Sequence, residues 1–221
     1  MSFSWEFVIA NMPLYGKAAL LTLRLGVTGI IFSLIIGLLC SIVIFYKIRI
    51  LKTIARVYIE LSRNTPLLVQ LFFLYYGLPQ IGIKLSAEQC AVIGLTFLGG
   101  SYMAESFRSG LEAVSKTQLE SGLSIGLSKP QLIRYIILPQ AFSVALPSLG
   151  ANGIFLLKET SLFSVVALAD LVYVAKELMG MYYATNEALT MLVISYLIIL
   201  LPISLLLSRL ERSVRHAEFG N

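Results

Sequence analysis

Lys116-Thr-Gln-Leu-Glu-Ser-Gly-Leu-Ser-Ile-Gly-Leu-Ser-Lys-Pro-Gln-Leu-Ile-Arg-Tyr-Ile-Ile-Leu-Pro139 interrupts a chain that is otherwise strongly apolar. The run is polar, punctuated by Gly122 and Gly126, and built from pieces too short to cross a bilayer. Ser115 and Gln118 have capping-box spacing, as do Ser128 and Gln131, so each pair is able to open a short helix. Gly126 stands where the first of these helices should end. The expectation is a helix–turn–helix over residues 115–139, presented by a membrane-bound chain to something in the water.

The flanking sequence supplies the membrane part. Of the 221 residues, 57% are hydrophobic and 13% charged, and the mean hydropathy is +0.85. Soluble domains carry about 25% charge, so burial in one soluble core does not explain this composition. The net charge of +5 is distributed at the ends of apolar runs, which fits membrane spans and argues against a nucleic-acid partner. Cys40 and Cys90 fall inside apolar stretches without metal-ligand spacing and read as small apolar filler. No basic segment precedes the first apolar run, so no cleaved signal peptide is expected.

A span needs about 20 mostly apolar residues. Ala18–Phe45, Ile54–Leu78, Gln89–Ser109, Pro139–Leu157 and Ala188–Leu207 qualify, which predicts an all-α integral membrane protein of about five spans in a single domain, residues 1–221. The shorter Leu162–Ala175 carries Asp170 and reads as a packed or re-entrant piece on the outer side. Lys47, Arg49, Lys52 and Arg56 follow the first span, Arg108, Lys116, Lys129 and Arg134 flank the interruption, and Arg209, Arg212 and Arg215 follow the last. The opposite turns hold fewer cations, Lys84 and Lys176 among them, so the positive-inside rule puts the interruption and the C-terminus in the cytoplasm and the N-terminus outside. Trp5, Tyr15, Tyr75, Tyr76, Tyr182 and Tyr183 fall near the expected outer boundaries, as interfacial aromatics do.

Glu120-Ser-Gly-x-x-x-Gly126, followed after nine residues by Ile136-Ile-Leu-Pro139, resembles the cytoplasmic Glu-Ala-Ala signature of ABC importer permeases. Arg63-Asn-Thr-Pro-Leu-Leu-Val-Gln-Leu-Phe-Phe-Leu-Tyr-Tyr-Gly-Leu-Pro79, Ser101-Tyr-Met-Ala-Glu-Ser-Phe-Arg108 and Leu156-Leu-Lys-Glu-Thr-Ser-Leu162 look like the polar amino acid branch of that family, the histidine, glutamine and arginine type. The similarity runs from about Leu20 to Arg209 with its motifs in order. It implies a type I importer permease fold of five spans in the bacterial inner membrane, a homodimer or heterodimer of permeases, two cytoplasmic ATPase subunits that bind ATP and magnesium, and an extracytoplasmic solute-binding protein. It also implies that residues 115–139 hold the coupling helix, with Glu120, Ser121, Gly122 and Gly126 at the ATPase contact. Ser121 and Gly122 replace the usual alanines, and Thr117 stands where glycine is usual; the pair keeps the small size that close docking requires.

The residues themselves exclude several chemistries. No Gly-x-x-x-x-Gly-Lys-Ser/Thr occurs, so the chain lacks the usual phosphate cradle and draws its energy from a partner or an ion gradient. No His/Cys/Asp/Glu set has metal spacing, and His216, the sole histidine, reads as a solvated tail residue. No nucleophile–base constellation argues for covalent catalysis. Glu120 has two readings: a docking carboxylate for the ATPase, or a charge that stabilises its own helix N-terminus.

Asn152, Phe155 and Glu159 share one helical face. A charged carboxylate at a span's centre costs ~2.5–3.5 kcal/mol, so Glu159 should face protein or water. It either lines the substrate path and reads an amino group, or marks with Lys158 the outer end of the span. Pro147, Gly150 and Gly153 suit a segment that lines a cavity. In the second span Pro66 leaves the Ser62 carbonyl without its helical donor. Arg63 is then open to satisfying local carbonyls and Glu60, or to meeting substrate beside Gln70; Glu105 and Arg108, three apart, should pair.

The expected function is the permease subunit of an ATP-driven importer of polar amino acids. An ion-gradient transporter and a non-transporting assembly subunit are the alternatives; the first commonly shows internal inverted repeats, and none is evident here.

Overall fold

The computed structural model describes the backbone of residues 3–219 and the side chains of residues 3–214. The basic Arg215 and the tail residue His216 therefore have side chains outside the described residues. Every element in that range is helical. Four helices are long and apolar enough to cross a membrane: Trp5–Phe45, Ala87–Ala113, Lys129–Val166 and Thr185–Val214.

The first, α1 (Trp5–Phe45), is 41 residues long and begins well before the expected Ala18, its N-terminus capped by Ser4, whose hydroxyl accepts from the Phe7 amide. Tyr15 does not turn its ring outward; it is buried and donates its hydroxyl to the Ala188 carbonyl at 2.7 Å, which ties α1 to the last helix. Trp5, Tyr76, Tyr182 and Tyr183 are exposed, whereas Tyr75 packs against the main core.

The predicted second span, Ile54–Leu78, is not one helix. It divides into α2 (Arg49–Arg63) and α3 (Leu67–Phe72), with α3 prolonged by a π turn at Phe73–Gly77 and a 3₁₀ turn at Leu78–Ile81. The break falls at Asn64-Thr65-Pro66, because proline offers no amide and drives the residue before it out of the α region. An average over 25 apolar-rich residues conceals such a local stop. Neither half is long enough alone to span ~30 Å of hydrocarbon at 1.5 Å per residue.

Next come α4 (Ala87–Ala113) and α5 (Lys116–Ser124). The fourth long helix opens with α6 (Lys129–Leu132), passes through a π turn at Ile133–Ile137 and continues as α7 (Leu138–Glu159) into a 3₁₀ segment, Thr160–Val166. Its N-terminus lies ten residues upstream of the expected Pro139, so the second capping pair opens the span itself and not a separate short helix. Both π turns end two residues before a proline, Gly77 before Pro79 and Ile137 before Pro139. Widening the turn lets the ladder pass a residue that has no amide to give. Ala167 turns the chain in the left-handed region, and α8 (Leu171–Tyr182) and α9 (Thr185–Phe219) complete the bundle.

The expected Leu162–Ala175 piece is packed, with Phe163, Val166 and Leu171 fully buried. Asp170 caps α8: its Oδ1 accepts from the Tyr173 amide at 2.8 Å.

The centre of the fold is the seam between α1 and α4. Buried Gly29, Ser33, Gly37 and Ser41 follow one another every four residues on α1, and Gly26, a turn earlier, faces Leu157 and Thr160. Small residues allow close backbone approach, which is how helices associate in lipid. A Cβ on Gly37 would stand 2.5 Å from Met103 Cβ and 2.8 Å from the Ala104 amide nitrogen, so no side chain fits. Leu25, Leu71, Leu95, Met103, Leu156 and Phe163 fill the core around this seam. A second cluster joins the start of α1 to α8 and α9 through Val8, Ala18, Leu171, Val174, Ala188 and Met191.

Candidate functional site

The α2–α3 break has its own internal repair. Gln70 Nε2 donates to the Ser62 carbonyl at 3.3 Å and to the Thr65 carbonyl at 3.0 Å, supplying the donors that the break removes. Ser62 is fully buried, and its hydroxyl donates to the Phe97 carbonyl at 2.7 Å, fastening the break to α4. Gln70 lies against an apolar cavity of about 380 Å³ with Val69, Phe73 and Phe97, apart from the other path candidates.

Arg63 is thereby released from the local role expected of it. Asn64, not Arg63, reaches Glu60, with Nδ2 3.3 Å from Oε2. The Arg63 guanidinium points across to α4, 3.9 Å from Glu105 and over the ring of Tyr102 at 5.4 Å from its centroid. Its position at the last residue of α2 also suits a cation, since the helix C-terminus is the negative end of the dipole.

Glu105 is the hub of a ladder along α4. It pairs with Arg108 at 2.6 Å, as the three-residue spacing predicts, and Arg108 reaches Glu112 at 2.7 Å. This ladder lines a cavity of about 470 Å³ together with Arg56, Glu60 and Arg63, at the end of the bundle from which α5 projects.

On the other side of Arg63 lies a second cavity, of about 280 Å³, lined by Arg63, Asn64, Tyr102, Phe155 and Glu159. Phe155 meets Tyr102 with ring centroids 5.4 Å apart. Glu159 is half-buried, and its carboxylate makes no hydrogen bond or ion pair among the described residues, whereas Lys158 is exposed and faces elsewhere. The predicted face of Asn152, Phe155 and Glu159 forms, but with divided roles. Asn152 donates to Ser106 Oγ at 2.9 Å and to the Tyr102 carbonyl at 3.4 Å, clamping α7 to α4, while Phe155 and Glu159 reach the cavity. Gly150 seats Leu207 of α9, and Gly153 has open space around it. The sequence assigned no role to Tyr102: an aromatic under a guanidinium depends on a pairing between helices that spacing along one helix cannot reveal.

The α5 turn is built as its glycines require. Ser115 Oγ accepts from the Gln118 amide at 3.3 Å to open the helix. Gly126, at φ +86°, closes it: the Gly126 amide donates to the Leu123 carbonyl at 3.0 Å and the Leu127 amide to the Gly122 carbonyl at 3.1 Å. Ser128 begins the next helix, its amide donating to Gln131 Oε1 at 2.9 Å. Glu120 and Ser121 are exposed, and Glu120 has no ionic partner among the described residues. Gly122 is buried against its own chain, where a Cβ would come 2.6 Å from Leu132 Cδ1 and 2.7 Å from Ile136 Cδ1. Its small size therefore serves the seating of α5 on the long helix, and Glu120 and Ser121 form the free face.

Residues 29–216 match the family described as binding-protein-dependent transport system inner membrane components. The probable amino-acid ABC transporter permease protein PatM of Vibrio harveyi is 39% identical over 77% of this chain and 78% of its own length. The glutamine transport system permease protein GlnP of Escherichia coli K12 is 35% identical over 97% of this chain and 99% of its own. A crystal structure of an amino acid ABC transporter with histidines superposes with a TM-score of 0.89 at 33% identity, covering 96% of this chain and 100% of that one. The fold, the near-complete coverage and the match over residues 29–216 together make this chain a member of the binding-protein-dependent transport family, an inner-membrane permease component of the ABC type.

Proposed function

We propose that this chain forms the translocation path of an ATP-driven importer for polar amino acids, as a pair with a second copy or a close homologue. The observation that carries the reading is the cavity between α2, α4 and α7, where the Glu159 carboxylate and the Arg63 guanidinium face one space beside Tyr102 and Phe155. Opposite charges lining one small cavity complement a zwitterion: Glu159 reads the ammonium group, and the aromatic rings cover the apolar part of the substrate. The relatives named as amino-acid and glutamine permeases support the same class of substrate.

In this reading α5 lies in the cytoplasm, with Glu120 and Ser121 on an ATPase subunit. ATP and magnesium belong to that subunit, and a solute-binding protein delivers the amino acid from outside. ATP-driven closure of the two ATPases draws the docked α5 helices together, and the two permeases rock around the cavity. The substrate biases this equilibrium only through its differential affinity for the two states.

Native mass spectrometry of the detergent-solubilised complex tests the assembly: two permease chains with two ATPases are expected, and a chain that never carries an ATPase contradicts it. Glu159→Gln tests the site. Transport of cationic and zwitterionic amino acids should fall with the ATPases still bound, and uptake unchanged for all of them rejects the role of Glu159.

A further inference from the structure

Arg63 lines both the cavity that holds Glu159 and the cavity that holds the Glu105–Arg108–Glu112 ladder, and among the described residues it alone is common to the two. We propose that the Arg63 side chain is the bar between them, a positioning residue that closes the way from the amino-acid cavity to the α5 end of the bundle. The inference rests on the reading of the first cavity as part of the amino-acid path.

Three observations support a bar that opens. First, the hold on Arg63 is loose. Glu105 engages Arg108 through two contacts, at 2.6 and 3.4 Å, whereas Arg63 stands off at 3.9 Å. Paired, fork-like contacts are the strong ones, so Glu105 stays with Arg108 when Arg63 leaves. Second, Arg63 is flanked rather than enclosed: Tyr102 stacks beneath it, and Tyr102 in turn leans on Phe155 in the first cavity. Third, Arg63 ends α2 just before the Asn64–Pro66 break, so its backbone is a joint between two helices and not the interior of one.

Chemistry names what moves it. The α-carboxylate of an amino acid entering beside Glu159 competes with Glu105 for the guanidinium, and drawing Arg63 toward the substrate clears the second cavity. The ladder then ties the bar to energy input. Glu105, Arg108 and Glu112 run down α4 toward Ala113, and α5 begins three residues later at Lys116. A shift of α5 therefore reaches Arg63 through one rigid helix.

The test uses the assembled permease–ATPase complex in proteoliposomes loaded with a radiolabelled mixture of amino acids, and measures efflux without ATP. Arg63→Gln should raise efflux about fivefold, the scale of one half-exposed ion pair, while Arg63→Lys stays near the wild type. Glu105→Gln, which leaves Arg63 in place without its anion, should also leak and reads the bar even where Arg63→Gln fails to assemble. Tight vesicles for both glutamine variants, or equal leakage from Lys and Gln at position 63, overturn the proposal. A wild-type complex that accumulates no amino acid with ATP present overturns the transport reading instead, so the two failures are distinct.

Discussion

The carboxamide of Gln70 donates to the Ser62 carbonyl across 3.3 Å, filling the place of the amide that Pro66 lacks. Its second contact, to the Thr65 carbonyl, makes one side chain responsible for most of the break's repair. Gln70→Leu should leave the Thr65 carbonyl unpaired and the Ser62 carbonyl with only backbone contacts such as the long one from the Thr65 amide at 3.4 Å, at a cost of about 1–3 kcal/mol. The melting temperature of the purified protein should drop, and Gln70→Glu should not restore it, because a carboxylate has no amide hydrogens to donate.

Gly37 faces backbone and Cβ atoms of α4 with no room for a side chain. Gly37→Val should lower thermal stability by about 1–3 kcal/mol or block membrane insertion, as overpacking does. Gly153, with nothing within 4 Å, is the control: Gly153→Ala should leave stability unchanged or raise it, since alanine favours a helix by about 1 kcal/mol over glycine. Equal effects at the two positions would refute the close α1–α4 seam.

Burial pushes the carboxyl of Asp170 up to about 6 from an ordinary 3.8, against the lowering effect of the Tyr173 amide. The folded state thus holds this proton when the unfolded chain has already lost it. At this site stability is greatest below about pH 4, declines as pH rises through 6, and is level above that. Asp170→Asn keeps the cap and removes the titration, so it should melt higher than the wild type at pH 7.5, with the difference shrinking by pH 4. Asp170→Ala also removes the titration but loses the cap, so it should lie about 1 kcal/mol below Asp170→Asn at either pH.

Position 122 separates packing from coupling. Gly122→Leu should displace α5 from Leu132 and Ile136 and reduce both stability and ATPase binding, whereas Gly122→Ala needs only small movements of flexible side-chain ends. Glu120→Lys, on the exposed face, should leave the melting temperature unchanged and abolish substrate-stimulated ATP hydrolysis. A loss of stability in Glu120→Lys would assign the carboxylate to its own helix.

Much of this architecture is legible in the sequence because it depends on neighbours along the chain. The apolar runs, the Ser115 and Ser128 caps, the turn at Gly126, the Glu105–Arg108 pair and the common face of Phe155 and Glu159 all follow from local spacing. What escapes depends on contacts between helices. Arg63 passes over Glu60, four positions away from Asn64 and already taken by it, for Glu105 on another helix. Gly122 looks like part of a docking face until Leu132 and Ile136 fold over it, and Tyr15 looks outward-facing until the last helix packs over it. The second span illustrates the other limit: hydropathy averages through Pro66, but a backbone cannot.

ATP-dependent uptake decides the central claim. The permease–ATPase complex with its binding protein, in proteoliposomes, should accumulate radiolabelled polar amino acids only when magnesium and ATP are supplied to the ATPase side. Accumulation driven by an imposed ion gradient in the absence of ATP would contradict it.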